Sequence, residues 1–298
     1  MTAMHATKPD KNDQFLAWNG LRASVPGNWS PSGLGLRHVC LADDEGPAFE
    51  WKWRPGAGRE GMEAALRALT PQRRARAGGD LPRAWLDALA DYELMPMTWA
   101  RDGRSGLGAA LFHPDTGTAA VFQAYGGPDG PDAARLDAVA AVLASLSLDQ
   151  AGPPAFSLYG LTLTAPAGYV LATFSFDPGR FVLGFAAPRR RLDVVRLAPA
   201  SVLLARQSAE DWTRQALGFS RHVPVVPDGT AASPLWWAGL GQGRRLGERL
   251  ARWCGRRGRL GLLRHDTTVD KFLGAAATAG PPVDRDWLAG VVAGCVSL

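Results

Sequence analysis

Gly20-Leu21-Arg22-Ala23-Ser24-Val25-Pro26-Gly27-Asn28-Trp29 is answered 140 positions later by Gly160-Leu161-Thr162-Leu163-Thr164-Ala165-Pro166-Ala167-Gly168-Tyr169. Both stretches open on Gly-Leu, place a hydroxyl before a small residue, and set an aromatic three positions beyond a proline. Three further blocks keep the same order along the chain. Trp51-Lys52-Trp53-Arg54-Pro55 matches Val195-Arg196-Leu197-Ala198-Pro199, an apolar-basic-apolar strand pattern ended by proline. Leu111-Phe112-His113, Gly117 and Ala119 to Gln123 match Arg252-Trp253-Cys254, Gly258 and Leu260 to Arg264, a hairpin in each. Leu146-Ser147-Leu148 matches Val296-Ser297-Leu298 after an amphipathic stretch. Small loop insertions account for the drift in offset. The chain therefore reads as one unit of domain size used twice, since solenoid repeats run only roughly 20 to 50 residues.

The expected division is a tail over 1–14, a first α+β repeat over 15–148, a linker over 149–154 and a second repeat over 155–298. In the first repeat, Leu21 to Val25 and Phe49 to Trp53 alternate like half-buried strands. Helices are expected from Gly61 to Leu69, Pro82 to Ala90 and Pro131 to Ser147, with a hairpin from Leu107 to Ala124. The second repeat shows strands at Leu161–Thr164, Val170–Phe176, Phe181–Phe185 and Leu192–Leu197. A helix over Ala209 to Leu217, a hairpin from Leu246 to Arg264 and a last helix from Val283 to Val296 follow. Asp284 and Asp286 suit the start of that last helix. Strands, a helix, strands and a closing helix predict an α+β fold, a tandem duplication of an antiparallel-sheet α/β sandwich. This order is similar to the photosystem accessory proteins of the PsbP type. The resemblance is one of topology and implies the sandwich alone, with no site or activity. The short Asp149 to Pro154 connector predicts two domains packed about a pseudo-twofold, with a cleft where a ligand could sit.

An apolar content of 46% with eleven tryptophans belongs to a folded globular chain. No apolar run approaches the roughly 18 residues of a membrane span, and Met1 to Asp13 lack the apolar core of a secretory signal. A cytoplasmic location without membrane insertion is expected. Cys40, Cys254 and Cys295 are odd in number and widely spaced, which fits reduced thiols rather than a disulfide framework.

Charge separates the halves. Residues 1–148 carry 15 basic and 17 acidic side chains, net −2, and residues 149–298 carry 18 and 11, net +7. Much of the excess lies in Arg244, Arg245, Arg249, Arg252, Arg256, Arg257, Arg259 and Arg264, faced only by Glu248. Arg244, Arg245, Arg252, Arg256, Arg257, Arg259 and Arg264, with Arg189, Arg190, Arg191 and Trp253, are the candidate contacts for an acidic partner or anionic ligand. They also allow nucleic-acid binding, although no nucleic-acid module accompanies them. Only four of the 33 basic residues are lysine, so a solvated arginine-rich surface explains the run better than nucleic-acid binding does.

Nucleotide-binding glycine motifs, a nucleophile elbow and zinc spacings are all absent from the sequence. No cofactor is expected. His113 and Cys254 are weak metal candidates by their matched positions, and Asp43-Asp44-Glu45 could hold a hard cation. Trp236 and Trp237 are expected in a core or interface, and Cys295 on the apolar face of the last helix. The reading that follows is a non-catalytic binding or adaptor protein with a protein partner. The alternatives are a small anionic ligand carrier or enzyme, and a nucleic-acid binder through the arginine hairpin.

Overall fold

The computed structural model describes residues 13–64, 76–148, 152–231, 233–239, 258–280 and 282–297, and the chain divides into two units, Met1–Ala151 and Gly152–Leu298. In the first unit, Asn19 and Gly20 take positive φ of 46° and 94°. They turn β1 (Asp13–Trp18) back onto β2 (Leu21–Pro26) with Trp18 opposite Leu21. Positive φ at both central residues is the hairpin turn whose twist suits the flanking strands. Asn and Gly adopt it at least cost. The Trp29 N–H then donates to the Pro26 carbonyl at 2.9 Å, which closes the turn into the next strand.

The remaining strands of this unit are β3 (Ser30–Gly35), β4 (His38–Asp43), β5 (Gly46–Arg54), β6 (Arg76–Ala77), β7 (Glu93–Arg101), β8 (Arg104–His113), β9 (Thr118–Gly126) and β10 (Ser147–Leu148). Helix α1 opens at residue 58 and is described to 64. Helices α2 (Arg83–Ala88) and α3 (Ala133–Ser145) follow. Seven strands form one antiparallel sheet in the order β3-β4-β5-β9-β8-β7-β6, and β10-β2-β1 lie side by side. Helices cover both faces of the seven-stranded sheet. On one, Trp51 stacks on Phe122 at 5.8 Å and Trp85 of α2 meets Phe122 edge-on at 5.5 Å. The Trp85 indole N–H donates to the Leu136 carbonyl of α3 at 3.0 Å, tying the two helices together. On the other, Met62 of α1 packs with Met97, Ala110, Ala119 and Val121. Asp132 caps α3 by accepting from the Arg135 N–H at 2.7 Å.

The second unit is built the same way. Tyr159 and Gly160, at φ 51° and 68°, turn β11 (Ala155–Leu158) onto β12 (Leu161–Thr164), and the Tyr169 N–H donates to Pro166 at 3.1 Å. Strands β13 (Val170–Asp177), β14 (Arg180–Ala187) and β15 (Arg190–Leu197) precede helices α4 (Ala200–Leu204) and α5 (Ala209–Ala216). Strands β16 (Val225–Thr230), β17 (Ser233–Ala238), β18 (Gly258–Asp266) and β19 (Lys271–Ala279) follow, then α6 (Arg285–Ala293) and β20 (Val296–Ser297). The sheet order is β13-β14-β15-β19-β18-β17-β16, with β11-β12-β20 adjacent. One face packs Val195, Leu197, Leu263, Phe272 and Ala276 against Ala200, Ala216 and Leu217 of the α4–α5 region. On the other, α6 lies against β18 and β19, with Leu288 and Val292 buried.

Strand order, the positive-φ turns and the Pro-to-aromatic hydrogen bonds thus recur at matching points. So do irregularities: the ladder shifts register between Pro31 and Gly33 in one unit and between Leu171 and Thr173 in the other. In each unit the turn between the two central strands of the second half also holds a helix start. The Gly58 N–H donates to Gly117 at 3.2 Å, and the Ala200 N–H donates to Asp270 at 2.8 Å.

Three sequence matches need correction. The ladders end at Arg54↔Ala119 and Leu197↔Phe272, so Trp51 corresponds to Val194 and not Val195. A one-residue slip moves every side chain to the opposite face, and Val195 accordingly sits in the α4–α5 core while Trp51 faces α2. The hairpin of the second unit is also displaced. Leu260 to Arg264 lie in β18, which occupies the place of β8 rather than β9, and β18 turns through residues 267–270 into β19. The turn matching Pro114–Gly117 is therefore Thr267–Asp270, not Gly255–Arg259. Sequence spacing misled here because the arginine-rich run lengthens the connection ahead of β18. The closing strands differ by one position too, since Leu148 and Ser297 are the residues paired with Leu21 and Leu161.

Phe122 and Phe272 are both fully buried on the middle strands of their sheets, β9 and β19. Replacing either with alanine is expected to cost about 3–5 kcal/mol, read as a lowered midpoint in urea unfolding with circular dichroism.

Candidate functional site

Strand β5 reads Phe49-Glu50-Trp51-Lys52-Trp53, and pleating sends Glu50 and Lys52 to the face opposite the rings. Register places His38 beside Lys52 and Gln123 beside Glu50, with Tyr125 two residues further along β9 on the same face. Glu50 is 4% exposed and is surrounded by polar groups. Lys52 Nζ stands 2.7 Å and His38 Nε2 2.8 Å from its Oε1. Oε2 accepts from the Gln123 amide and the Tyr125 hydroxyl, and Gln123 Nε2 also reaches the Tyr125 oxygen at 3.1 Å. Burial raises the Glu50 pKa, but His38, Lys52 and Tyr125 outweigh it and hold the carboxyl well below the usual range. Four groups crowd onto two oxygens, so this carboxylate is consumed by the fold and its accessible lone pairs are taken.

The cluster belongs to the first unit alone. At the corresponding register positions of the second stand Asp193, Val195, Val182, Ala276 and Thr278, and Asp193 pairs with Arg191 Nε at 3.2 Å. The sequence signal for the cluster is a Glu and a Gln inside otherwise apolar strands, a pattern that composition and motif searching pass over.

Tyr125 carries this buried centre to the surface. Its hydroxyl is pinned by Glu50, and its ring meets Trp99 edge-on at 5.5 Å. Two hollows of about 410 Å³ and 270 Å³ open beside it, both lined by Tyr125 and Arg104. Nearby, the acidic loop Asp43-Asp44-Glu45 is tied to a guanidinium. Arg135 Nη2 lies 2.7 Å from Asp43, both side chains largely buried, and the guanidinium stacks over Trp29 at 5.7 Å. Among the described residues no group of three or more His, Cys, Asp or Glu is placed to hold a metal ion. His113 ends β8 edge-on to Tyr92 at 4.9 Å, and Cys254 lies outside the described residues.

Arg244, Arg245, Arg249, Arg252, Trp253, Arg256 and Arg257 also lie outside the described residues. The two described members of that run end helical segments. Arg259 donates to the Gly218 and Leu217 carbonyls at 2.8 and 2.6 Å, just past α5, and stacks on Phe219 at 4.8 Å. Arg264 donates to the Cys295 carbonyl at 2.9 Å beyond α6. A cation there satisfies carbonyls left over at a helix end and meets the negative pole of its dipole. Arg189 tops the β14–β15 turn at φ 60°, Arg190 hydrogen-bonds Tyr169, and Arg191 pairs with Asp193. Trp237 is buried under Arg285, at 4.6 Å, and Trp236 packs edge-on to Phe272 at 6.0 Å. Cys295 is buried but follows α6 rather than lying on it, and burial pushes its thiol up to about 11.

A ring cluster lies at the β13 edge of the second unit. Tyr159, 38% exposed, lies 5.2 Å from Phe176 and 5.4 Å from Phe181. Phe174 lies 5.8 Å from Phe176, and Arg196 stacks over Phe181 at 4.8 Å. Burial lowers the Arg196 pKa, and burial together with Arg196 lowers that of Lys271. This corner therefore combines rings with two neighbouring cations.

No protein-family model matches the chain, and no curated protein matches its sequence. Among solved structures it is similar to the apo structure of immunity protein TplEi of T6SS from Pseudomonas aeruginosa. That alignment covers 99% of both chains at 9% identity with a TM-score of 0.36, a level that carries no inference of fold or function.

Because the Glu50 pKa is depressed in the folded state, its stabilisation is complete above the unfolded value of about 4.3 and is lost as pH falls below it. Glu50→Ala is expected to cost about 1–3 kcal/mol at pH 7, chiefly by leaving the buried Gln123 amide and Tyr125 hydroxyl without their acceptor, since half-exposed Lys52 can be hydrated instead. The variant's stability then falls less steeply than the parent's below pH 4.3, as thermal unfolding across pH will read. Peptide mapping after iodoacetamide treatment at pH 8 should find Cys295 modified only once the protein is denatured.

Proposed function

We propose that the chain is a non-catalytic protein-binding adaptor, built from a duplicated α+β unit whose two copies have diverged on their surfaces. The shared strand order, paired turns and matched register shifts support the duplication. The observation that carries the binding reading is the corner formed by Tyr159, Phe174, Phe176, Phe181 and Arg196. Asn19 holds the matching turn of the first unit with a residue type that, among those with a side chain, accepts positive φ readily. Tyr159 holds the second at φ 51°, against that preference, and keeps a large ring partly exposed. Local backbone cost is a feature of functional positions, and aromatic and arginine side chains supply most interface energy.

The partner surface on this reading is acidic, complementing the +7 charge of residues 149–298. Its contacts are Arg189, Arg190, Arg191, Arg244, Arg245, Arg252, Arg256, Arg257 and Trp253. Arg259 and Arg264 are held by the Leu217, Gly218 and Cys295 carbonyls. The setting is the cytoplasm, where Cys40 and Cys295 stay as thiols.

Tyr159→Asn tests this while preserving the turn. Capture from native lysate by the full chain should yield one dominant protein, reduced at least tenfold by the substitution, as expected for an interface anchor. Undiminished capture removes the corner from the interface. Recovery of nucleic acid instead, with affinity falling steeply on a log-log salt plot, or of a tightly held small anion by native mass spectrometry, overturns the adaptor reading.

A further inference from the structure

Arg104 is an arginine held in place without an acidic partner among the described residues. Its Nη2 donates to the Glu45 backbone carbonyl at 3.2 Å, and the residue is exposed. The guanidinium lies against Gly46. A Cβ there would come within 2.8 Å of Nη2, and the glycine's φ of +114° is itself one that L residues avoid. The turn thus favours glycine, and a side chain there would push the guanidinium aside.

Arg104 forms a shared wall of the two hollows, together with Tyr125. Their charge differs. The larger is lined by Glu45, Asp129 and Asp132 against Arg104 and Arg135, three carboxylates to two cations. The smaller is lined by Trp99, Arg101, Asp102, Arg104 and Tyr125, two cations to one carboxylate, and that carboxylate is held by Arg101 Nε at 2.9 Å. Beneath it the Trp99–Tyr125 pair, 8% and 9% exposed, forms its own small apolar cluster. Tyr125 cannot swing away without breaking its hydrogen bond to buried Glu50.

We propose that the Trp99–Arg104–Tyr125 hollow is a second protein contact, which takes an acidic side chain of the partner beside an apolar one. The carboxylate meets the fork of Arg104 and the apolar group lies on the rings. A carboxylate suits the smaller hollow's charge, and Trp, Tyr and Arg are the residue types that dominate interface energy. Pre-positioning by Gly46 and Glu50 lowers the ordering cost of binding. The idea rests on the protein-binding reading but concerns a different surface from the Tyr159 corner.

The test titrates the full chain with the capped tripeptide Phe-Asp-Leu and its Phe-Asn-Leu counterpart, following indole and guanidinium N–H signals by NMR. The Asp peptide should shift the Trp99 indole and Arg104 Nε signals saturably. The Asn peptide should bind about tenfold more weakly, the scale of one charge-assisted hydrogen bond. Arg104→Gln should remove the difference between the two while leaving the melting temperature unchanged. Equal binding of both peptides, or an Asp preference that survives Arg104→Gln, overturns the site. Lysate capture is read separately. Capture lost with Tyr159→Asn but kept with Arg104→Gln overturns this contact alone, and failure of the unsubstituted chain to capture protein overturns the adaptor reading while the peptide titration still judges the hollow.

Discussion

Everything in each unit hangs on one long-range pairing, β5 with β9 in the first and β15 with β19 in the second. These ladders join a three-stranded meander to a second antiparallel group that arrives only after a helical excursion. The joined sheet is covered on both sides, so each strand must present a suitable residue to two interiors at once. Register is then tightly constrained, because a slip of one residue exchanges the two interiors. The turn that holds a helix start, at Gly117 and at Asp270, links the same sheet to the layer above it. In the second unit Asp270 does so twice over, since its carboxylate also accepts from the Ser201 N–H at 2.7 Å and hydroxyl at 2.6 Å.

The two interiors solve the same problem with different chemistry. At the α4–α5 face, Val182, Val195 and Ala276 pack as small apolar groups. At the α1 face, the corresponding His38, Lys52 and Gln123 surround Glu50. A buried carboxylate in such a place is stable only when its oxygens are paired, and the cluster meets that demand within the sheet itself. Its consequence reaches the surface through Tyr125, whose orientation is set by the carboxylate beneath it. A structural ion cluster thereby fixes the shape of an exposed hollow.

Some of this is legible in the sequence. The Gly-Leu turn, the proline-to-aromatic segment and the strands Leu161–Thr164 and Val170 onward stood out by local alternation and turn chemistry. Helix α3 and helix α6 were marked by aspartates at their starts. Strands β16 and β17 were missed because Pro227, Gly229 and Pro234 interrupt their pattern, and β19 because an alanine run carries little alternation. The arginine run was read as a surface feature by charge alone. Charge cannot say whether a guanidinium points to solvent or to the open end of a helix, and Arg259 and Arg264 do the latter.

The sequence by itself determined the local events: where the chain must turn, because positive φ and proline restrict the backbone there, and which segments alternate, because one face of each is buried. It also determined the charge difference between the halves. Tertiary structure decided register, the face each side chain enters, and which polar groups meet. Glu50 finds its partners on β4, β5 and β9, and Arg104 finds its seat on Gly46, through contacts between residues far apart in the chain. Period and composition describe neighbours along a strand, whereas a binding surface is made by neighbours across it.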